Sequence, residues 1–299
     1  MMRGMFSAIS GLKVHQTMLD VTANDLGNVN TVGFKASRTT FKDSLTQLYR
    51  SGAASSSGQG GANAAQVGLG VALGSIDNLM TTGSMQSTGN PLDVAIQGDG
   101  WFRVVNGTPA SGNVLSAGTT NGPVNYTRAG DFTRNDAGYL VTQEGYYVMG
   151  STKPLPDATG ADCYINVPAG ATDVAIGQDG SVSFVPPASG WTQDPALPAV
   201  SSNGRAIAGY ISLAKFSNEA GLERASGNRW TGTGASGAET EGTPGGGFGF
   251  TTAGAIEMSN VDLATEFTTM IAAQRGFQAN SRVISTADEM LQDLVNLKH

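Results

Sequence analysis

All eleven prolines of this 299-residue chain lie between Pro91 and Pro244. Proline lacks a backbone donor and clashes with the preceding helical turn, so it breaks helices and central strands. Long helices are therefore confined to the two proline-free ends, residues 1–90 and 245–299. The middle must be built from short, turn-rich elements.

Both ends carry heptads. Met2, Met5, Ile9, Leu12, Gln16, Leu19, Ala23 and Leu26 alternate spacings of three and four. Within them Met5, Leu12, Leu19 and Leu26 form a fully apolar seven-residue series, the pattern of a helix packed along a seam. Gly27 and Asn28 stand where a left-handed cap would end that helix. Near the other end, Ser259 and Asp262 resemble a capping pair. Leu263, Met270, Phe277, Ile284 and Leu291 then recur every seven residues. Their companion series, Phe267, Gln274, Ser281, Asp288 and Val295, is apolar only at its ends, so the stripe is narrow. An ordinary amphipathic core helix is the plainer reading of the N-terminal end, whereas the narrow C-terminal stripe suits a helix that meets different neighbours on different faces. The matching seams predict that the N- and C-terminal helices pair.

Between the ends, Phe41, Leu45 and Leu48 suggest a short helix within residues 34–50. Residues 51–76 contain no charge and begin Gly/Ser/Ala-rich. They read as a flexible linker, or as a small-residue stretch that orders against neighbours. Residues 93–105, 131–149 and 207–216 read as strands, with turns at Asn135 to Gly138 and at Glu144-Gly145. DVAIQGDG at 93–100 returns as DVAIGQDG at 173–180, which predicts two similar hairpins. Residues 232–254 read as a Gly/Thr-rich connector. The fold class is α+β: terminal helices pair in a coiled-coil-like domain around an all-β, hairpin-built middle. The expected division is 1–34 plus 258–299 for the helical polymerisation domain, 35–76 for an extended linker, and 77–257 for the β domain without a large insertion.

Composition removes most chemistry. Cys163 is the only cysteine, so there is neither an internal disulfide nor a cysteine-based zinc site. A Ser-His-Asp or Cys-His enzyme would have to use His15 or the terminal His299. The charge of −7 without a basic cluster argues against nucleic acid. No apolar run reaches the roughly 18–20 residues of a membrane span. The run from Gly4 to Leu12 is short and stopped by Lys13, unlike a cleaved signal. Gly232 to Gly237 matches G-x-G-x-x-G, but no apolar-faced helix follows to hold a phosphate. The pairs Asp288-Glu289 and Glu239/Glu241 read as solvated rather than as a carboxylate dyad. Asp77, Asp93, Asp99 and Asp131 read as turn residues rather than calcium ligands. Trp101, Phe102, Tyr126, Phe132, Tyr139, Tyr146 and Tyr147 form sheet core or, alternatively, a carbohydrate platform. No catalytic residue, cofactor or metal site is expected.

Two blocks are more specific. ANDLGNVNTVGFK at 23–35 resembles the N-terminal signature of the bacterial flagellar rod and hook family, with Asn24, Asn28, Thr31, Gly33, Phe34 and Lys35 on its motif. Asp25 and Gly27 depart from the family's usual Asn and Ala. The second block runs from MSNVDL at 258–263 through QRGFQANSR at 274–282 to DEML and Leu294. It is similar to the family's C-terminal signature at Ser259, Asn260, Asp262, Gln274, Arg275, Asn280 and Arg282. LDVAIQGDGWFRV and YTRAGDFTRNDAGYLVT resemble the family's β core.

The resemblance implies a non-enzymatic structural subunit that self-assembles into a helical tube. Met5, Leu12, Leu19, Leu26, Leu263, Met270, Phe277, Ile284 and Leu291 would line the polymer-forming helices. MFSAISGL, STGNPLDVAI and LVNLK point within the family to a hook subunit, a flexible joint between rod and filament and an export channel. A distal-rod subunit of the basal body is the alternative. The implied partners are further copies of the chain, the distal rod protein, hook cap and hook–filament junction proteins, and the export apparatus. The implied place is the flagellum, outside the cell, reached without a cleaved signal. Some family members are cross-linked through Cys and Lys, which makes Cys163 a candidate. A secreted β-rich binding or carbohydrate-active protein is the competing class.

Overall fold

The computed structural model describes residues 2–54, 60–107, 122–153, 161–187 and 204–297. The chain forms two compact units, and it passes between them more than once.

Unit 1 comprises Met1–Asn28, Ala36–Leu79 and Val261–His299. It contains helix α1 (Met2–Gly27), strands β1 (Ser37–Asp43), β2 (Thr46–Arg50), β3 (Ala65–Gly68) and β4 (Val71–Asn78), and helix α2 (Leu263–Asn296). The helices occupy the proline-free ends and pack on each other. α1 stops at Gly27 without a left-handed residue there; Asn28 closes the last turn by donating its backbone N–H and Nδ2 to the Asn24 carbonyl. At the start of α2 the cap is Asp262 rather than Ser259: its carboxylate accepts from the Ala264 N–H and the Thr265 hydroxyl.

The helix expected within 34–50 is absent. That stretch forms β1 and β2, which pair antiparallel with β4 and β3. Ser37 stands opposite Asn78 and Asp43 opposite Val71. Part of the expected linker is thus the return arm of a two-stranded ribbon. Phe41 does face the helical side, with its ring edge-on to His15 at 5.6 Å. Tertiary pairing with a β-rich partner overrides a weak three-to-four spacing.

Unit 2 comprises Val29–Lys35 and Met80–Asn260. Its strands are β5 (Met85–Ser87), β6 (Val94–Gln97), β7 (Trp101–Val105), β8 (Val124–Thr127), β9 (Thr133–Arg134), β10 (Leu140–Val141), β11 (Tyr147–Ser151), β12 (Asp162–Tyr164), β13 (Thr172–Ile176), β14 (Ser181–Val185), β15 (Ala206–Ile211), β16 (Leu213–Lys215), β17 (Glu223–Ala225), β18 (Arg229–Thr231), β19 (Thr240–Gly242), β20 (Phe250–Ala253) and β21 (Ala255–Glu257). A large antiparallel sheet runs in the order β13-β14-β15-β11-β7-β8-β18-β17, with β9, β10, β12, β16 and β19 branching from it. β6 pairs with β20 and β5 with β21, so the returning chain is sewn onto the start of the unit. The expected connector at 232–254 therefore contributes β19 and β20.

The main core includes Val94, Ile96, Phe102, Phe132, Val148 and Phe184. A second cluster holds Trp101, Tyr126, Phe216, Leu222 and Trp230. The repeated octapeptide does not build two hairpins. β13 and β14 pair across a tight turn in which Gly180 donates to the Gly177 carbonyl. In the earlier copy Gly98 and Gly100 both take positive φ, 114° and 137°, and send β7 away from β6 into a different ladder.

Candidate functional site

The helix pair is built on small residues. The relation is antiparallel, since Gly11 meets Asn280 while His15 meets Gly276. A Cβ on Gly11 would lie 2.6 Å from Asn280 Nδ2, and one on Gly276 would lie 2.5 Å from the His15 ring. Ala8, Val14, Thr22, Asp25, Ala273 and Ala287 are buried with them. Each glycine leaves room for a larger side chain of the opposite helix.

The inner face of α2 therefore follows Glu266, Ala273, Asn280 and Ala287, one residue ahead of the expected companion series. Gln274, Ser281, Asp288 and Val295 are exposed. Met270, Phe277, Ile284 and Leu291 flank the seam half-buried, as Met5, Leu12, Leu19 and Leu26 do on α1; Leu263 is exposed. The outward surface instead carries Phe6, Phe267, Ile271, Val283 and Met290, each at least half exposed except Val283 at 46%. Glycine and alanine carry little weight in a hydrophobic count, which is why the periodicity misses the true centre of the seam.

Near the last turn of α1, the fully buried Asp25 accepts the Ser37 N–H at 2.9 Å. Burial, then the charges of Asp25 and Asp262, push the Glu266 carboxyl above its ordinary value.

The GFK motif lies in unit 2 and closes on residues that the sequence left unmarked. Lys35, Glu257 and Arg128 are nearly inaccessible, with side chains 0%, 0% and 2% exposed. Lys35 Nζ donates to Glu257 Oε1 at 2.6 Å and to the Thr81 carbonyl at 2.8 Å. The Gly83 N–H donates to the same carboxylate oxygen at 2.9 Å, and Arg128 Nη1 reaches Oε2 at 3.3 Å. Burial dominates in holding the Lys35 ammonium below its ordinary pKa, against the raising effect of Glu257. Gly33, at φ 65°, fits against the backbone of Arg128 and Ala129 and donates its N–H to the Glu257 carbonyl.

Phe34 is buried beneath Arg224, whose guanidinium stacks 4.7 Å from its ring and donates to the Lys35 carbonyl. Asn260 Nδ2 donates to the Thr81 hydroxyl and carbonyl. Glu257 directly precedes MSN, and Arg128 lies in the YTRAGDF block; a buried charge beside a signature block was the only available signal. Thr31 accepts from the Phe34 N–H. Gln274, Arg275 and Arg282 are exposed on α2 and do not join this cluster.

A second charge network gives Glu239 and Glu241 a partner while their side chains stay 27% and 42% exposed. Arg103 is buried and meets Asp162 at 3.1 Å, Glu239 at 3.4 Å and Glu241 at 2.7 Å. Tyr126 donates to Glu239. Burial pushes the Glu241 carboxyl up, opposed by Arg103. Trp101, Phe102, Tyr126 and Phe132 are core residues, so no face of these four remains for a sugar. Cys163 is 1% exposed, beneath Gly209. Ser236 of the G-x-G-x-x-G stretch is buried and donates within its own turn, to the Thr233 carbonyl. Among the described residues no three His, Cys, Asp or Glu side chains are grouped to hold a metal, and no helix is long and apolar enough to cross a membrane. His299 and the Leu294 side chain lie outside the described residues.

These features have counterparts in known proteins. Residues 252–297 match a family described as flagellar basal body rod FlgEFG protein C-terminal, and residues 95–184 match the flagellar hook protein FlgE/F/G D1 domain. The chain is 44% identical over 300 residues to the flagellar basal-body rod protein FlgG of Bacillus subtilis, covering 100% of both chains. It is 37% identical to the FlgG of Caulobacter vibrioides, over 99% of this chain and 100% of that one. To the flagellar hook protein FlgE of Borreliella burgdorferi it is 26% identical over a 456-residue alignment that covers 100% of each. The chain belongs to the FlgE/F/G family of flagellar rod and hook proteins.

Proposed function

We propose that the chain is a structural subunit of the flagellar basal body of the distal-rod type, which polymerises into an open helical tube. The observation that carries the polymer reading is the inverted helix pair. α1 and α2 bury glycine, alanine and polar groups against each other and leave Phe6, Phe267, Ile271, Val283 and Met290 facing outward. Exposed apolar side chains of that size are stabilised by contact with another surface. A face that meets a different face on an identical copy generates an open helix. Met5, Leu12, Leu19, Leu26, Met270, Phe277, Ile284 and Leu291 then serve as flanks that support both the intrachain seam and the neighbouring copy.

The rod reading takes precedence over the hook reading of the sequence. Four rod relatives are 34–44% identical over 97–100% of this chain, against 26% for a hook protein. The partners are then other copies of this chain and the adjoining axial subunits, and the chain reaches its place through the flagellar export apparatus.

Deletion in the source organism tests this. Basal bodies isolated without the chain end in a truncated rod on the distal-rod reading. An intact rod that lacks only the hook overturns it. Purified chain that stays monomeric at all concentrations, with fully protected helix amides, overturns the polymer reading itself.

A further inference from the structure

We propose that Lys35, Arg128 and Glu257 form a closure lock: one buried carboxylate, shared by two cations, makes the folding of unit 2 conditional on two of its chain crossings, the first, 29–35, and the last, 254–260. The four segments that build the lock lie far apart in sequence. Lys35 ends the entering crossing 29–35, Thr81 and Gly83 open the β domain, Arg128 follows β8, and Glu257 ends β21 in the leaving crossing.

Each partner is tied to the core. Arg128 stacks over Trp101 of β7 at 5.2 Å, and Trp101 packs edge-on against Trp230 of β18. Arg224 of β17 stacks over both Trp230 and Phe34 and donates to the Lys35 carbonyl. β21 follows directly on β20, which pairs with the buried β6.

Charge makes the closure close to all-or-none. With the entering crossing missing, Glu257 loses its 2.6 Å partner. With the leaving crossing missing, Lys35 and Arg128 face each other without an anion. In the first state Glu257 keeps Arg128 and the Gly83 N–H but loses its shorter ion pair; in the second, buried charge is left without its partner, which costs far more than the pair returns, so the partly closed unit is disfavoured from either side and most when the leaving crossing is missing. The lowered pKa of Lys35 is consistent with this balance. For a chain that travels unfolded, which rests on the function proposed above, the β unit stays open until both ends have arrived, whichever leads.

The test is hydrogen exchange on the full-length monomer, so it does not depend on assembly. Three variants are compared: Lys35→Met, Glu257→Gln and the two combined. Lys35→Met leaves the Glu257–Arg128 pair and the Gly83 bond intact. It should speed exchange about tenfold, and by the same factor in 29–35, 80–87 and 254–260 as in β7, β8 and β18. Glu257→Gln leaves two cations facing each other and should give on the order of a hundredfold or more, or loss of the folded unit. The double variant removes one of those cations and should exchange more slowly than Glu257→Gln alone.

Faster exchange confined to the crossings, with β7, β8 and β18 at wild-type rates, overturns the lock. So does a double variant whose losses simply add. If Glu257→Gln does not fold, the uniformity of the Lys35→Met response decides.

Discussion

Replacing Gly276 by alanine should destabilise the helix pair, although the same change stabilises an isolated helix. Inside a helix, glycine costs roughly 0.5–1 kcal/mol relative to alanine. Here the new Cβ would stand 2.5 Å from His15 Cε1 and Nε2, where ordinary contact begins near 3.4 Å. The ring must move by about 1 Å, and Phe41 stands edge-on to it. Overpacking of this kind costs about 1–3 kcal/mol, which at mid-range outweighs the propensity gain and leaves a net loss of about 1 kcal/mol.

His15→Ala removes the obstacle. In that background Gly276→Ala should change sign and stabilise by about 0.5–1 kcal/mol. Urea unfolding followed by ellipticity at 222 nm measures both legs of the cycle. The same sign in both backgrounds would refute the argument that Gly276 is a socket for His15.

Gly33→Ala should cost at least about 2 kcal/mol in unit 2, read as a drop in the urea midpoint of tryptophan fluorescence, because positive φ is combined with a 2.6 Å approach to the Arg128–Ala129 backbone. The raised Glu266 pKa means that its contribution to stability is complete below the ordinary carboxylate value and is lost as pH rises through the folded value. Asp25→Asn removes one of the charges that raises it, while an amide oxygen still accepts from Ser37 N–H. The Glu266 titration measured by NMR should move down, and the helical unit should lose less stability between acid and neutral pH. Phe267→Ser together with Ile271→Ser should leave the monomer's unfolding free energy, from urea titration, within about 0.5 kcal/mol of wild type while abolishing sedimentable polymer, since both side chains are at least half exposed. Cys163 should resist a thiol reagent until unit 2 unfolds, and labelling at the native rate of an exposed thiol would show the strand β12 to be open.

The architecture was readable where backbone chemistry dominates. The proline map placed both helices, and Gly138 and Gly145 placed the turns between β9, β10 and β11. Identity was readable because GFK and MSN lie where the chain closes on itself. The remaining features depend on contacts between residues distant in sequence. Phe41, Leu45 and Leu48 have helical spacing, yet β1 pairs with β4, about thirty positions on. Glu257 and Arg128 look like any surface charges until Lys35, Thr81 and Gly83 are brought to them. The pairing of Glu239 and Glu241 is hidden in the sequence because Arg103 lies more than a hundred residues away, on β7.

The heptads show the same limit more sharply. Counting large apolar side chains located the flank of the seam, Met270 to Leu291, and missed its centre, because two helices that approach closely place glycine and alanine between them. That displacement decides how the helix pair is stabilised. Burial of Ala8, Gly11, Ala273, Gly276 and Ala287 removes little apolar surface from water, since stabilisation scales at about 25 cal/mol per Å². Phe6, Phe267, Ile271 and Met290, which have most to gain, remain at least half exposed. The intrachain seam therefore sets the register of α1 on α2 more than it supplies their stability. On the polymer reading proposed above, their stabilisation is largely deferred to the neighbouring copy, so that the pair stays easy to open as a single chain and becomes firm once that copy seats on Phe267 and Ile271.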